Sequence, residues 1–399
     1  MRHEGPTADK KITITHLKAQ RGIAILASIF IILLLVFIAT EVSYETSMEY
    51  IVHAQSPHHI QAYYNARSGI ELARLRLAIY QLIQQRFGEQ LKNQQALLNK
   101  IWSLPFIWPP PILADLPSHE VTELEELRKN TTIPGSFETI ITDEGSKIDI
   151  NDLGSPSITI REITKKLLIE ILENQATQDP EFRQKMDQMT AEEIVGNLQD
   201  WIDTDSQSVM GGVEPQDAFN RWLRFPEEVF EIQTIPFEIR LYLSKIVTVF
   251  GQKAFNPNTA SRELLSALDP SITEKVVNEI IKRRENPQLG GPFSAVDEFW
   301  NFVNFHGARV TPEKQGEIPL IFDQVSAFRI TSVGKYKQSV KTLEVIVWDF
   351  DYLVTLVSRQ ILKEIDESPS KSKPIQSKVQ RTSDNKDNYL LPIVYWVEK

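Results

Sequence analysis

From Ile23 to Thr40 the chain reads IAILASIFIILLLVFIAT, eighteen residues without a charge, about the minimum that crosses a bilayer as a helix. Lys10, Lys11, Lys18 and Arg21 precede this run and Glu41, Glu45 and Glu49 follow it. Basic flanks stay on the cytoplasmic side, so the pattern predicts a cytoplasmic N-terminus and a body on the far side of the membrane. Beyond the run, Ala62, Ala66, Ile70, Ala73, Leu77 and Tyr80 recur at steps of three or four. That period predicts that the membrane helix continues as an amphipathic stalk to about Arg86, one apolar face packed on the body. No glycine precedes Gly69 in this stretch, and Pro57 is its one proline.

The body changes period twice. Gly135 to Asn151 contains the alternating stretches FETII and KIDIN around Asp143-Glu144-Gly145-Ser146, which reads as a β-hairpin. Helical spacing takes over from Thr159 to about Gln199, through Ile160, Ile163, Leu167, Leu168, Ile171 and Leu172, with a break near Asp179-Pro180. Strand character returns only at Ala327 to Asp349. Strands so far apart, with helices between, predict an α+β body in which an α-helical domain is inserted into a smaller α/β domain with an antiparallel sheet. Asp366 to Asn388 is polar and reads as a flexible tail. The terminal YLLPIVYWVEK is apolar enough to add a strand to this subunit or to a partner.

With 42% hydrophobic and 24% charged residues in 399, the chain has ordinary globular values and enough length for about two compact domains. A net charge of -10 argues against a nucleic-acid-binding surface. The lack of cysteine excludes disulfides, thiolate metal sites and cysteine nucleophiles. The seven histidines are scattered, and no G-x-S-x-G, Walker or G-x-G-x-x-G pattern is present, so the chain reads as a non-enzymatic subunit. Asp200, Asp203, Asp205, Glu214 and Asp217 crowd a glycine-bearing loop. Such carboxylates suit a hard cation such as calcium, or simply a solvated acidic loop.

Arg21-Gly22 set directly against Ile23 resembles the cleavage junction of type IV pilins and type II secretion pseudopilins. The resemblance implies that a prepilin peptidase removes residues 1–22 between Gly22 and Ile23. Most of that class carry a glutamate at the fifth residue after the cut; Ala27 stands there in this chain. A buried membrane carboxylate is costly unless paired, so its absence suits a subunit with no neighbour above it. YYNARSGIELA (Tyr63 to Ala73), DEGSKIDIN (Asp143 to Asn151), LQDWIDTDS (Leu198 to Ser206) and FNPNTASRELLSAL (Phe255 to Leu268) are similar, in that order, to the K-type minor pseudopilins, general secretion pathway protein K.

The resemblance implies a pilin-like α/β domain interrupted by a helical domain of SAM-like or helix-hairpin-helix-like kind. The corresponding segments are a leader at 1–22, a membrane helix at 23–42, a stalk at 43–90, the sheet domain at 91–157 and 326–362, the helical insert at 158–325, and a tail at 363–399. It further implies calcium at Asp203, Asp205 and Glu214, with Asp217. The partners implied are I- and J-type minor pseudopilins, the prepilin peptidase and the inner-membrane secretion platform. The location implied is a bacterial inner membrane, the body in the periplasm, and the role is to cap and initiate the pseudopilus. Departures are the missing cysteine pair and AFNRWLRFPEEVFEI (Ala218 to Ile232) in place of the usual stretch after the aspartate loop. A type IV pilus-tip minor pilin for adhesion or DNA uptake, and a single-pass membrane-anchored binding protein or enzyme, are the alternatives. The helix-hairpin-helix-like segment lacks the glycines that would let a hairpin reach phosphate. Asp269-Pro270-Ser271-Ile272 occupies that position, so Lys275, Lys282, Arg283 and Arg284 read as a solvated basic face and the segment as a docking module.

Overall fold

The computed structural model describes residues 12–87, 90, 98, 101–112, 116–204, 207–209, 218–322, 325–354, 356 and 390–399, with side chains from residue 23 onward except at 51, 52 and 54. A single helix, α1 (Ile12–Phe87), carries both the apolar run and the stalk. Pro57 lies inside it and forfeits one backbone bond without ending it. Among the described residues α1 is the one helix long and apolar enough to cross a membrane, and that part is not buried against the body. From Ala62 onward the helix lands on the sheet. Ala62, Ala66, Ile70, Ala73, Leu77 and Tyr80 are all buried, as the spacing predicts.

After β1 (Phe106–Trp108) and α2 (Ser118–Asn130) comes β2 (Ser136–Asp143), then the two-residue β3 (Ile148–Asp149). Helices α3 (Ile158–Gln178), α4 (Pro180–Met186), α5 (Ala191–Ile202) and α6 (Phe237–Ile246) follow, then β4 (Val247–Thr248). The helical body ends with α7 (Arg262–Ala267), α8 (Glu274–Glu285), α9 (Val296–Phe305) and α10 (Pro312–Glu317). Strands β5 (Ala327–Tyr336), β6 (Ser339–Trp348) and β7 (Ile393–Glu398) return the chain to the sheet. The order across that sheet is β1-β2-β5-β6-β7, antiparallel throughout. The expected α+β architecture is therefore present: a long apolar helix, an antiparallel sheet, and helices inserted between β2 and β5.

The helix boundaries follow local chemistry. Asp179 closes α3 and opens α4, its carboxylate accepting from the N–H groups of Glu181 and Phe182 while Pro180 takes the first turn. Thr190 and Glu193 form a reciprocal capping box at the start of α5.

Two sequence expectations need correction. The stretches FETII and KIDIN do not form a hairpin. Both edges of β2 are already occupied, by β1 and β5, so the chain turns at Glu144–Ser146 and leaves the sheet. Ile148 and Ile150 then point into the helical core, with β3 pairing in parallel with β4. Strand pairing also appears earlier than Ala327, at β1 and β4, in runs too short to carry a period. The terminal segment takes one of the two places expected of it: β7 adds to this subunit's own sheet alongside β6. The polar stretch 366–388 lies outside the described residues.

Two cores flank the sheet. On one face, Ala66, Ile70, Leu77 and Tyr80 of α1 pack on Ile141, Phe328, Ile330, Leu343, Val345 and Val347. On the other, Ile346 and Tyr395 join the core of the helical body, which includes Leu168, Leu198, Trp201, Ile239, Leu265 and Trp300. The sheet is thus the plate between the stalk and the head.

Candidate functional site

The segment Tyr63 to Ala73 is where the stalk grips the sheet. Asn65 is buried, and its Nδ2 donates to the carbonyls of Pro134 (2.8 Å) and Lys335 (2.9 Å), tying α1 to the start of β2 and the end of β5. Gly69 faces Ser332, Thr139 and Phe137, and Gly334 faces the backbone of Ala62 and Ala66; a Cβ at either glycine would overlap them. Small residues on both surfaces let helix and sheet backbones meet closely.

The segments Asp143 to Asn151 and Phe255 to Leu268 meet at the junction of sheet and head. Thr259 Oγ1 donates to Asp143 Oδ2 (2.5 Å), the Gly145 N–H donates to Asp143 Oδ1 (2.8 Å), and the Ser261 N–H donates to the Ser146 carbonyl (3.3 Å). Glu144 is buried and receives Arg329 Nε (2.7 Å), Arg329 Nη2 (2.5 Å) and Thr248 Oγ1 (2.5 Å). Arg329 also pairs with Glu344, whose other oxygen accepts from Lys399 Nζ (2.8 Å). On the head side Lys253 Nζ pairs with Asp149 (2.7 Å) and with Asp152. Asn151 exchanges two hydrogen bonds with the backbone of Leu223. Gln252 accepts from the N–H and hydroxyl of Ser326. This clasp is buried and charge-matched, and it fixes how the head sits on the plate.

Burial sets the protonation of this clasp. It pushes Asp143 from 3.8 up to about 7, against the hydrogen bonds from Thr259 and Gly145 and with the help of the neighbouring Glu144 charge. Burial and the Asp149 charge also raise Asp152. Burial alone would lower Lys253, but the two carboxylates hold its ammonium charged. Between about pH 4 and 7 the folded chain keeps the Asp143 proton that the unfolded chain releases, so this group makes stability fall as pH rises through that window. Asp143→Asn is expected to flatten that part of the pH profile and to raise the melting temperature at pH 8 relative to the parent. The gain is on the order of 1–4 kcal/mol. Melting curves from pH 4 to 8 check it; an unchanged slope contradicts it.

Of the acidic-loop residues, Asp203 closes α5 at its C-terminus. Asp200 is buried, and its Oδ1 accepts from the Val209 N–H (2.8 Å), bending the chain back at the loop's start. Asp205, Glu214 and Asp217 lie outside the described residues. Among the described residues no three His, Asp or Glu side chains meet in a metal-binding group. Ile23 and Ala27 lie on the exposed part of α1, and the helix backbone runs through Gly22 without a break.

The basic face on α8 is corrected in part. Arg283 is held over the rings of Phe293 (4.5 Å) and Phe302 (4.7 Å) and pairs with Glu298. Arg284 reaches the carbonyls of Pro257 (3.1 Å) and Ala260 (2.7 Å). Both arginines brace the head, whereas Lys275 and Lys282 are exposed. The sequence singled out the segments that build the clasp but not Lys253 or Arg329, whose partners are distant in the chain.

A family model described as "Type II secretion system (T2SS), protein K" matches residues 255–317. Among solved structures, the chain is similar to one in the crystal structure of the GspK-GspI-GspJ complex from the enterotoxigenic Escherichia coli Type 2 Secretion System. The TM-score is 0.50 at 18% identity, covering 75% of this chain and 94% of that chain. At that identity the likeness is one of fold. No curated protein matches. Over residues 255–317 the chain is thus similar in sequence to protein K of type II secretion systems, and across three quarters of its length it shares the fold of a chain in the GspK-GspI-GspJ complex.

Proposed function

We propose that this chain is a minor pseudopilin that caps the tip of a type II secretion pseudopilus and initiates its assembly. The carrying observation is the unbroken α1, whose apolar stretch is exposed while its C-terminal part is clamped to the sheet that carries the head. Such a rod has its apolar face free for sister helices, and in this reading the head it carries leaves no room for a subunit above. Ala27 supports the tip position, since a carboxylate there would need a partner amine within the membrane. The role is structural: the chain binds and positions neighbours rather than turning over a substrate.

In this reading a prepilin peptidase cuts between Gly22 and Ile23, and the I- and J-type minor pseudopilins pack beside α1 above the inner-membrane platform. The body then lies in the periplasm. Mass spectrometry of the mature chain is expected to show an N-methylated Ile23. An intact Met1 on membrane-embedded protein would reduce the chain to a plain anchor. Co-purification with I- and J-type subunits is expected from membranes and should be lost when Ile23 to Thr40 is replaced by an unrelated membrane helix.

Calcium belongs to the same proposal. The carboxylates Asp203, Asp205, Glu214 and Asp217 are hard oxygen donors of the kind calcium takes, and the ion would neutralise their mutual repulsion. Chelation is expected to lower the melting temperature of the purified chain by several degrees, calcium restoring it, through about 2–4 kcal/mol of linkage at saturating ion. Asp203→Asn should blunt the response. An identical melting curve with chelator and with calcium removes the ion from the reading.

A further inference from the structure

Strand β7 ends the sheet, and among the described residues nothing pairs with its outer edge. The Thr342 and Lys399 backbones exchange two hydrogen bonds, which sets the alternation of the β6–β7 ladder. With Glu344 opposite Val397 and Ile346 opposite Tyr395, the N–H and carbonyl groups of Trp396 and Glu398 point away from β6. Beside this edge runs a groove of about 350 Å³ lined by Phe225, Glu227, Glu231, Tyr395, Trp396 and Val397. Phe225 and Trp396 are exposed large apolar side chains. Glu227 accepts from the Tyr395 hydroxyl (2.8 Å), and Glu228, on the same wall, is already paired with Arg221.

We propose that the outer edge of β7 is a docking site for an extended peptide segment of another protein, basic at alternate positions. Three features select that occupant. The unpaired edge offers the backbone bonds of an added strand, the form in which sheet edges recruit peptides. Tyr395 and Val397 face the head, so alternate side chains of an added strand fall beside Glu227 and Glu231, where cations gain and carboxylates are repelled. The intervening side chains lie on the other face beside Trp396, where apolar residues bury surface. The site uses neither α1 nor the acidic loop, so it stands apart from filament packing and from calcium.

The test is titration of the purified full chain in detergent with labelled peptides of alternating lysine and valine, followed by fluorescence anisotropy. Saturable binding that weakens with salt is expected, with a glutamate-for-lysine peptide failing to bind. Methylating the backbone nitrogens on one edge of the peptide should weaken binding about tenfold, and Glu231→Lys about fivefold. Trp396→Pro removes an outward N–H while leaving the bonds to β6, and should abolish binding; an unchanged melting curve shows that the sheet is intact. No saturable binding to the parent chain, or equal affinity for the methylated peptide, overturns the proposal. Self-association of the chain that Trp396→Pro abolishes would assign the edge to a second copy and overturn it equally.

Discussion

Replacing Arg329 by methionine is expected to lower the melting temperature of the purified chain by about 6–15 °C, the effect of losing about 3–5 kcal/mol. Arg329 is the cation between Glu144 and Glu344, and Glu144 has only 1% of its surface in contact with solvent. Methionine fills much of the volume but leaves the Glu144 carboxylate with the Thr248 hydroxyl as its remaining side-chain donor, deep between sheet and head. Most of the cost is therefore the stranded charge rather than the lost attraction. It follows that adding Glu144→Gln to the methionine variant should recover a large part of the loss, because a neutral amide is cheaper to bury. A single variant that melts within about 2 °C of the parent, or a double variant less stable than the single one, would refute this account.

Gly334→Val should separate the stalk from the plate. A Cβ at 334 would overlap the backbone of Ala62 and Ala66, which is rigid helix rather than the movable end of a side chain. Overpacking of this kind costs about 1–3 kcal/mol where side chains can shift, and more where only backbone can. The expected readouts are a loss of protease resistance around 60–80 and a fall in melting temperature. Because the head is carried on α1 through this contact, co-purification of sister subunits should fall even where the membrane segment is intact. The matching change on an exposed part of the same strand pair, Val340→Ala, should leave both readouts unchanged. Equal stability and protection in the Gly334 variant would show that the stalk does not depend on this close approach.

The two variants divide along what a sequence can carry. Ala62, Ala66, Ile70, Ala73, Leu77 and Tyr80 announce the buried face of α1 by spacing alone, since a helix places residues three and four apart on one side whatever it packs against. The strand character of Ala327 to Asp349 is equally plain, as runs that alternate or stay apolar on either side of Lys335 to Lys341, and the chain there forms the β5–β6 pair. Asp179-Pro180 marks a helix end because the cap and the proline act within one turn. Arg329 is different: its bond to Glu144 spans 185 positions, and no local pattern identifies the partner. Lys253 and Asp149, 104 positions apart, are illegible for the same reason. The Asp143 to Asn151 segment misled a local reading because its alternation is that of a hairpin. Its second half instead follows the helical core, and β2 already has neighbours on both sides.

The amino-acid sequence by itself determined the long apolar helix and the stalk face, because an uncharged run and a three-to-four-residue period act within the helix without help from the rest of the chain. Tertiary structure alone decided the sheet order, the seating of the head on the plate, and the docking of β7. Those depend on which distant strands find one another and on which carboxylates must share a cation once water is removed, and both are properties of the assembled core.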